Sequence, residues 1–148
     1  MNTIINEIWN NPDSPYSFEI GKIKYKYFGG QILTGIYEDI KVSKTVGTMF
    51  TTPISKDQLE FWFRNSIISI NKSILRERIK RIFGINKINN YVDHIDIPDL
   101  SLKIQIIDGS KVFAYNTINN QTLGEFLLFG NDLKKMINSI LIKNILSL

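Results

Sequence analysis

The sequence predicts an α+β protein in which a long central helix and an amphipathic C-terminal helix cover an antiparallel sheet. Residues 55–83 contain no Gly or Pro, which favours a helix over that whole stretch. On either side, segments of alternating apolar and polar residues are joined by Gly29-Gly30 and by Asp108-Gly109, two dipeptides typical of hairpin turns. Apolar residues between 133 and 145 recur at the spacing of one helical face. We therefore predict a single domain over residues 1–148, with about five or six strands in hairpins.

The N-terminal third predicts a short helix and then strands. Residues 3–10 place their apolar side chains at helical spacing. A first strand begins near Tyr16, and its alternation changes phase at Gly21, which indicates a β-bulge or a tight bend. After the glycine pair, a second strand is predicted over Gln31–Ser43 and a weaker third strand over Thr45–Thr51.

The central helix has recognisable ends but two apolar directions. Ser55 and Gln58 have the spacing of a capping box, in which each side chain satisfies the other's backbone N–H, and Gly84 is a natural stop. One apolar stripe occupies the first half of the helix, and it consists of Leu59, Phe63, Ile67, Ile70 and Ile74. The apolar residues of the second half point roughly to the opposite side, and these are Leu75, Ile79 and Ile82. Either the helix is unbroken and buried nearly all round in its first half, or it breaks near Asn71-Lys72-Ser73; the absence of Gly and Pro favours the unbroken helix.

The C-terminal part predicts another hairpin and a closing helix. Residues 84–99 read as a polar connection, and the hairpin follows over Leu100–Asn116. Leu123–Phe129 fits a buried strand or a helical turn, and periodicity alone does not decide between them. From Gly130-Asn131 onward the apolar stripe predicts the last helix, with Leu133, Met136, Ile137, Ile140, Leu141 and Ile145 on one face.

Composition limits the kind of protein. The chain has no cysteine, which excludes disulfides, thiolate metal sites and cysteine nucleophiles and favours a reducing compartment. The N-terminus lacks the pattern of a signal peptide and no apolar run is long enough to span a bilayer, so we expect a cytoplasmic protein without a membrane partner. Abundant Ile, Asn and Lys point to AT-rich coding, as in a low-GC genome or a mobile element.

The one local cluster of metal-binding or acid–base residue types is the run from Asp93 to Asp99, which contains the only histidine, His94. In an extended chain, Asp96 projects to the same side as His94. The run lacks the ligand spacing of a calcium loop and the paired histidines of a zinc hydrolase, so we assign no metal ligand, cofactor or catalytic residue. Three interpretations stay open here, namely a metal or catalytic site, a polar interaction surface, and ordinary solvated surface.

The basic charge of the protein lies in the central helix. Residues 55–83 hold seven basic and three acidic residues, so this segment has a net charge of +4, the same as the whole chain. Lys72, Arg76 and Lys80 are one helical turn apart and form a line that could neutralise phosphates of a nucleic acid. The alternative is a solvated helix face. Trp62 is either an anchor for a protein interface or part of a helix packed on two sides.

Three segments together resemble bacterial immunity proteins of contact-dependent growth inhibition systems. They are Gln58–Ser66 with Trp62, Leu102–Asn116 with its charged turn, and the apolar Phe126–Phe129, and the likeness extends over residues 55–147. The resemblance implies a cytoplasmic protein that blocks a toxin domain by surface complementarity and has no chemistry of its own. An inhibitor of a cationic nuclease is normally acidic, so the basic balance here implies either another kind of toxin or a contact through Asp93–Asp99.

Three functional hypotheses follow from these observations. The first is a non-enzymatic immunity or inhibitor protein whose partner is a toxin or effector domain, with candidate contacts at Asp93, His94, Asp96, Asp99 and Trp62. The second is a nucleic-acid-binding module that uses Lys72, Arg76 and Lys80. The third is an enzyme that uses His94 and the neighbouring aspartates.

Overall fold

The computed structural model describes residues 1–48 and 51–146 and confirms the α+β class. In this part of the chain there are three α-helices and nine strands, and the strands form two antiparallel sheets instead of the predicted single sheet of five or six strands. The chain divides into two compact units, Met1–Ile74 and Leu75–Leu148. The organisation of residues 1–148 as one domain stays a prediction.

The first unit begins with the predicted short helix and contains a four-stranded sheet. Helix α1 covers Asn2–Asn10. The strands are adjacent in chain order, and they are β1 (Tyr16–Ile20), β2 (Ile23–Tyr27), β3 (Ile32–Tyr37) and β4 (Ile40–Thr45). Every neighbouring pair is antiparallel, so the sheet is a meander of three hairpins.

One open alternative for this sheet is decided, and two details differ from the sequence prediction. At Gly21 the chain reverses and pairs β1 with β2, so the phase change marks a tight turn and not a bulge within one strand. A turn at Glu38-Asp39, with Glu38 at φ +54°, divides the predicted strand Gln31–Ser43 into β3 and β4. The predicted strand over Thr45–Thr51 does not form at residues 46–48, while Phe50, which was assigned to it, lies outside the described residues.

Helix α2 covers Lys56–Phe83 without a break, so the alternative of a break near Asn71-Lys72-Ser73 is wrong. At its start the Ser55 Oγ accepts the Gln58 N–H at 3.1 Å, as a capping box requires. The Gln58 Oε1 accepts the N–H of Ile54 at 2.8 Å, one residue earlier than predicted. At its end Gly84 has φ +66° and donates its N–H to the Lys80 carbonyl at 2.9 Å, which confirms the predicted stop.

The first half of α2 packs on the sheet of the first unit. All five residues of the predicted stripe are buried, from Leu59 to Ile74. The ring of Phe63 lies 5.9 Å from the rings of Phe18 and Tyr27, measured between centroids. A Cβ built on Gly35 of β3 would come within 2.5 Å of the Ile70 Cγ2, so helix and sheet approach closely because this position has no side chain.

The buried stripe of α2 changes after Ile74. Leu75 and Ile79 are buried on the second predicted stripe, whereas Ile82 of the same stripe is 38 % exposed. Phe61 is 64 % exposed, so the prediction that the first half is buried nearly all round is wrong. The unbroken helix therefore buries different stripes in its two halves.

The second unit contains the five-stranded sheet and the C-terminal helix. The strands lie in chain order, and they are β5 (Asn89–Asn90), β6 (His94–Ile97), β7 (Leu102–Ile106), β8 (Lys111–Asn116) and β9 (Thr122–Leu127). All neighbouring pairs are antiparallel. A short 3₁₀ helix, Pro98–Leu100, connects β6 to β7.

The predicted hairpin forms in this unit, and the structure of Leu123–Phe129, which the sequence left open, is now visible. The Asp108 Oδ1 accepts the N–H groups of Ser110 and Lys111 at 2.7 and 3.1 Å, which fixes the turn between β7 and β8. Of the segment Leu123–Phe129, which fitted a buried strand or a helical turn, residues up to 127 form a strand and residues 128–129 form a turn. The strand is not buried as predicted, since Leu127 is 63 % exposed. The polar connection predicted over residues 84–99 contains β5 and β6 as well.

The core of the second unit lies on one face of its sheet. Seven side chains of β6, β7 and β8 share this face and are no more than 2 % exposed, namely Ile95, Ile97, Leu102, Ile104, Ile106, Val112 and Ala114. Helix α3 (Asn131–Leu146) buries Leu133 and Ile137, the first part of its predicted stripe, whereas Ile145 at its end is 67 % exposed. Among the described helices none combines the length and the apolar character needed to cross a membrane.

Candidate functional site

The other face of the second sheet carries a mixture of aromatic, apolar and charged side chains. The strand register aligns His94 with Gln105, Gln105 with Phe113, and Phe113 with Glu125. A second row runs from Asp96 through Lys103 to Tyr115. Since paired residues share a face and side chains alternate along a strand, these rows lie on one surface. We call it the open face; its strand residues are His94, Asp96, Lys103, Gln105, Lys111, Phe113, Tyr115, Glu125 and Leu127, and we include Tyr91 and Asp93, which border it through their contacts with His94.

At one side of the open face, Asp93 and Tyr91 hold His94 in place. The Asp93 Oδ1 lies 3.0 Å from the His94 Nδ1, so the ionised carboxylate accepts a hydrogen bond from the ring. The Gln105 Nε2 donates to the second oxygen, Asp93 Oδ2, at 3.2 Å. The Tyr91 ring stacks on the imidazole with centroids 4.6 Å apart and planes 9° apart. These contacts within the chain therefore orient the imidazole.

The Asp93–His94 contact also changes how the carboxyl group binds protons. The hydrogen bond with His94 holds the pKa of Asp93 below its ordinary value, while partial burial raises that pKa and the Gln105 hydrogen bond lowers it further. Asp93 consequently stays negatively charged to a lower pH than an isolated aspartate. Within the described chain no group of three or more His, Asp or Glu side chains is close enough to hold a metal ion.

Asp96 leaves one acceptor unused on this surface. Its Oδ1 is buried and accepts no hydrogen bond from the described residues. Lys103, which faces Asp96 across the strands, places its Nζ over the Tyr115 ring, 5.6 Å from the centroid. Because this oxygen is shielded from solvent, the unused acceptor is a local cost to the stability of the fold.

The remainder of the open face is more apolar. The rings of Phe113 and Tyr115 lie 6.1 Å apart between centroids and are half-buried. Leu127 on the edge strand β9 is 63 % exposed. Beside them, Lys111 and Glu125 form an ion pair at 3.5 Å. Aromatic residues bordered by polar and charged groups are the composition that protein interfaces favour.

The structure brings together three of the five residues predicted to bind a partner. Asp93, His94 and Asp96 lie together, and His94 and Asp96 share one side of β6 as the extended chain predicts. Asp99 is exposed in the 3₁₀ helix, where its carbonyl accepts the Asn144 Nδ2 at 3.2 Å, and it is not on the open face. Trp62 belongs to the first unit, half-buried on α2.

Sequence reasoning missed most of the open face. The sequence pattern places Tyr91 in a polar connection. It places the other members in the strands of a hairpin without relating them to His94, and these are Lys103, Gln105, Phe113 and Tyr115. The alternation of β7 and β8 shows which of these residues share a side of their own strand. It does not show that β6 pairs with β7, and that pairing brings His94 to Gln105.

The alternative site, the basic line, lies on α2 as predicted. Lys72, Arg76 and Lys80 follow one another at four-residue spacing on the unbroken helix, and all three are half-buried. Exposed lysines occur on the outward side of the first sheet, where Lys24 and Lys26 alternate with buried tyrosines. The Lys26 Nζ lies 4.9 Å from the centroid of the Phe28 ring.

Comparisons with protein families, with curated proteins and with solved structures find no match to this chain. The resemblance to immunity proteins therefore stays a prediction from the sequence, and the functional argument depends on the geometry of the surface.

Proposed function

We propose that this chain is a cytoplasmic, non-enzymatic binding protein of the immunity or inhibitor type, which holds a toxin or effector domain against the open face. The observation that carries the proposal is the arrangement of four rings: His94, Phe113 and Tyr115 lie on one side of the sheet, and Tyr91 stacks on His94, with charged groups beside them. Tyrosine and other aromatic residues are enriched among the residues that dominate binding energy at protein interfaces.

The hydrogen bonds of the surface support binding without large rearrangement. Asp93 is hydrogen-bonded to both His94 and Gln105, and the Asp93 carbonyl accepts the Ile106 N–H at 2.8 Å. Side chains that are already ordered lose less conformational entropy when a partner binds. The half-buried Asp96 adds a negative charge beside His94 on this surface.

The charges of the open face fit a partner that presents both signs. Asp93, Asp96 and Glu125 are acidic, whereas Lys103 and Lys111 are basic. An inhibitor of a cationic nuclease is normally acidic, whereas this chain has a basic net charge. The mixed charges of the open face reduce that conflict, since the proposed contact surface itself is not strongly positive. It supports the interpretation that the region around Asp93 makes the contact.

The test compares partner capture by three forms of the protein in extracts of the native host. The wild type, a Tyr91→Ala/Tyr115→Ala variant and the control Ile118→Ala are immobilised, and retained proteins are identified by mass spectrometry. Ile118 is 81 % exposed in the loop between β8 and β9 and is not part of the open face. We expect the wild type and the control to retain a protein that the double variant loses.

The captured protein must then be inhibited. Its enzymatic or growth-arresting activity should fall in proportion to added wild-type protein and should be unaffected by the double variant. A partner that all three forms retain equally, or one whose activity does not change, would contradict the proposal.

A second candidate, nucleic-acid binding, is favoured by the continuity of α2, which keeps Lys72, Arg76 and Lys80 on one line. Retention on heparin should then weaken steeply with salt and disappear in the triple alanine variant. A triple variant that elutes with the wild type would exclude this candidate.

A further inference from the structure

The first unit contains a cavity of about 300 Å³ that the open-face proposal does not use. This volume lies at the lower end of the range for small-molecule sites. The cavity lies among α1, the residues after it, the turn before β3 and the start of α2. Three aromatic side chains line it, namely Trp9, Tyr27 and Trp62.

Trp62 is held in the wall by close contact with the backbone. A Cβ built on Gly47 would lie 2.2 Å from the Trp62 Cε3, so the indole fills the space that a side chain would take there. Leu59, one turn earlier on α2, is buried beside the cavity, and Ile8 of α1 is buried as well. The aromatic wall is therefore built from elements far apart in the sequence.

Gln31 fixes the chain that borders the cavity. Its N–H donates to the Tyr27 Oη at 3.3 Å, and its carbonyl accepts the Val46 N–H at 2.7 Å. Its side-chain Nε2 lies 3.0 Å from the carbonyls of Val46 and Thr48 and 2.7 Å from that of Thr51. A single residue thus connects the tyrosine of the wall, through its backbone N–H, to the loop that follows β4, through its side chain.

Asp13 is the one charged residue among the described residues that line the cavity. Its charge acts on Tyr27: burial raises the pKa of that phenol, the hydrogen bond with Gln31 lowers it, and the negative charge of Asp13 raises it further. The carboxylate and the aromatic rings therefore belong to the same small volume. A neutral apolar ligand would cover this charge without compensating it.

We propose that this cavity binds an alkylammonium cation, such as a trimethylammonium group, between the rings of Trp9, Tyr27 and Trp62 with Asp13 as the counter-charge. Aromatic faces attract cations, tryptophan most strongly, and the attraction increases when the site excludes water. A methylated ammonium matches an apolar wall better than a bare ammonium does, because its methyl groups need no hydrogen-bond acceptors. The single carboxylate supplies the charge complementarity.

Tryptophan fluorescence reports this site directly, because the chain has only two tryptophans and both line the cavity. Titration with choline should give a saturable change in emission. The neutral tert-butyl analogue of choline has the same shape without the charge, and we expect it to bind at least about tenfold more weakly. In Asp13→Asn the preference for choline over the analogue should largely disappear.

Glu19→Gln is the matched control, since it removes one negative charge from an exposed position of β1 that does not line the cavity. This variant should bind choline like the wild type. A peptide carrying trimethyllysine, titrated in parallel, distinguishes a side chain of a partner from a free small molecule as the source of the cation. Tighter binding of the peptide assigns the partner side chain, and tighter binding of choline assigns the small molecule.

Two results would overturn the proposal. Equal affinity of the wild type for choline and for its neutral analogue would show that the site does not select a cation. The absence of a saturable change with choline and with the peptide, in protein whose circular dichroism shows a folded chain, would show that the rings do not form a binding site.

Discussion

Replacing Gly47 by Ala should destabilise the first unit by about 2–5 kcal/mol. Gly47 has φ +76°, a conformation that costs a residue with a Cβ about 1–2 kcal/mol. The added methyl would lie 2.2 Å from the Trp62 Cε3, far inside the contact distance, so the ring or the loop must move. Forcing extra atoms into a packed region costs about 1–3 kcal/mol more, and the two effects together give the range above.

Gly30→Ala is the control for the backbone part of this cost. Gly30 also has a positive φ, +55°, but a Cβ there would meet no atom within 4 Å. We expect it to lose only about 1–2 kcal/mol, so the difference between the two variants measures the collision with Trp62. Urea denaturation followed by tryptophan emission reports the first unit, because Trp9 and Trp62 both lie in it.

A Gly47→Ala variant that is no less stable than Gly30→Ala would refute the packing of Trp62 against this backbone. That result would also contradict the proposed cation site, because the Trp62 indole forms one wall of the cavity. If the packing is correct, Gly47→Ala should also weaken choline binding, since the displaced ring no longer faces the cation.

Three further predictions concern pH and the start of α2. The pKa of Asp93 is lower in the folded chain than in the unfolded chain, so its contribution to the free energy of unfolding is complete above the unfolded-state pKa and is lost as the pH falls through the folded-state pKa. A plot of the free energy of unfolding against pH should therefore be less steep below about pH 4 for Asp93→Asn than for the wild type. Burial raises the pKa of Tyr25 above its ordinary 10.0, so its stabilisation is lost as pH rises beyond that value. Tyr25→Phe should remove this alkaline loss, and at neutral pH it should cost about 1 kcal/mol because Asn71 loses the phenol as donor. Ser55→Ala should lower the free energy of unfolding, measured in urea, by about 1 kcal/mol through the lost cap on Gln58.

Local signals predicted those elements whose cause is local. Ser55 and Gln58 act within one turn, and Asp108 fixes a hairpin through hydrogen bonds to residues two and three positions later. The same local reasoning left two alternatives open at Gly21, because a bulge and a chain reversal both shift the alternation by one residue. It failed at Glu38-Asp39, where Asp39 is a turn-forming residue but no Gly or Pro interrupts the alternation.

The two candidate sites were only partly predictable for a different reason. The grouping of Asp93 and His94 follows from their adjacency, but Gln105 joins them through strand pairing, which depends on packing of the whole unit. The cavity could not be predicted from the sequence at all. Trp9 and Trp62 are more than fifty positions apart, and no periodicity in the sequence relates them.

In the proposed function, the two sides of the second sheet serve folding and recognition separately. Inward positions such as Ile104 and Ala114 are fully buried and hold the unit together, so changes there are expected to cost stability. Outward positions such as Tyr115 are half-buried and contact other outward side chains, so truncation there should cost about 1 kcal/mol. If the open face binds a partner, Tyr115→Ala should lose partner retention while its free energy of unfolding falls by no more than about this amount. Measuring both quantities on Tyr115→Ala distinguishes a binding surface from a structural one, because a structural role would lower stability and partner retention together.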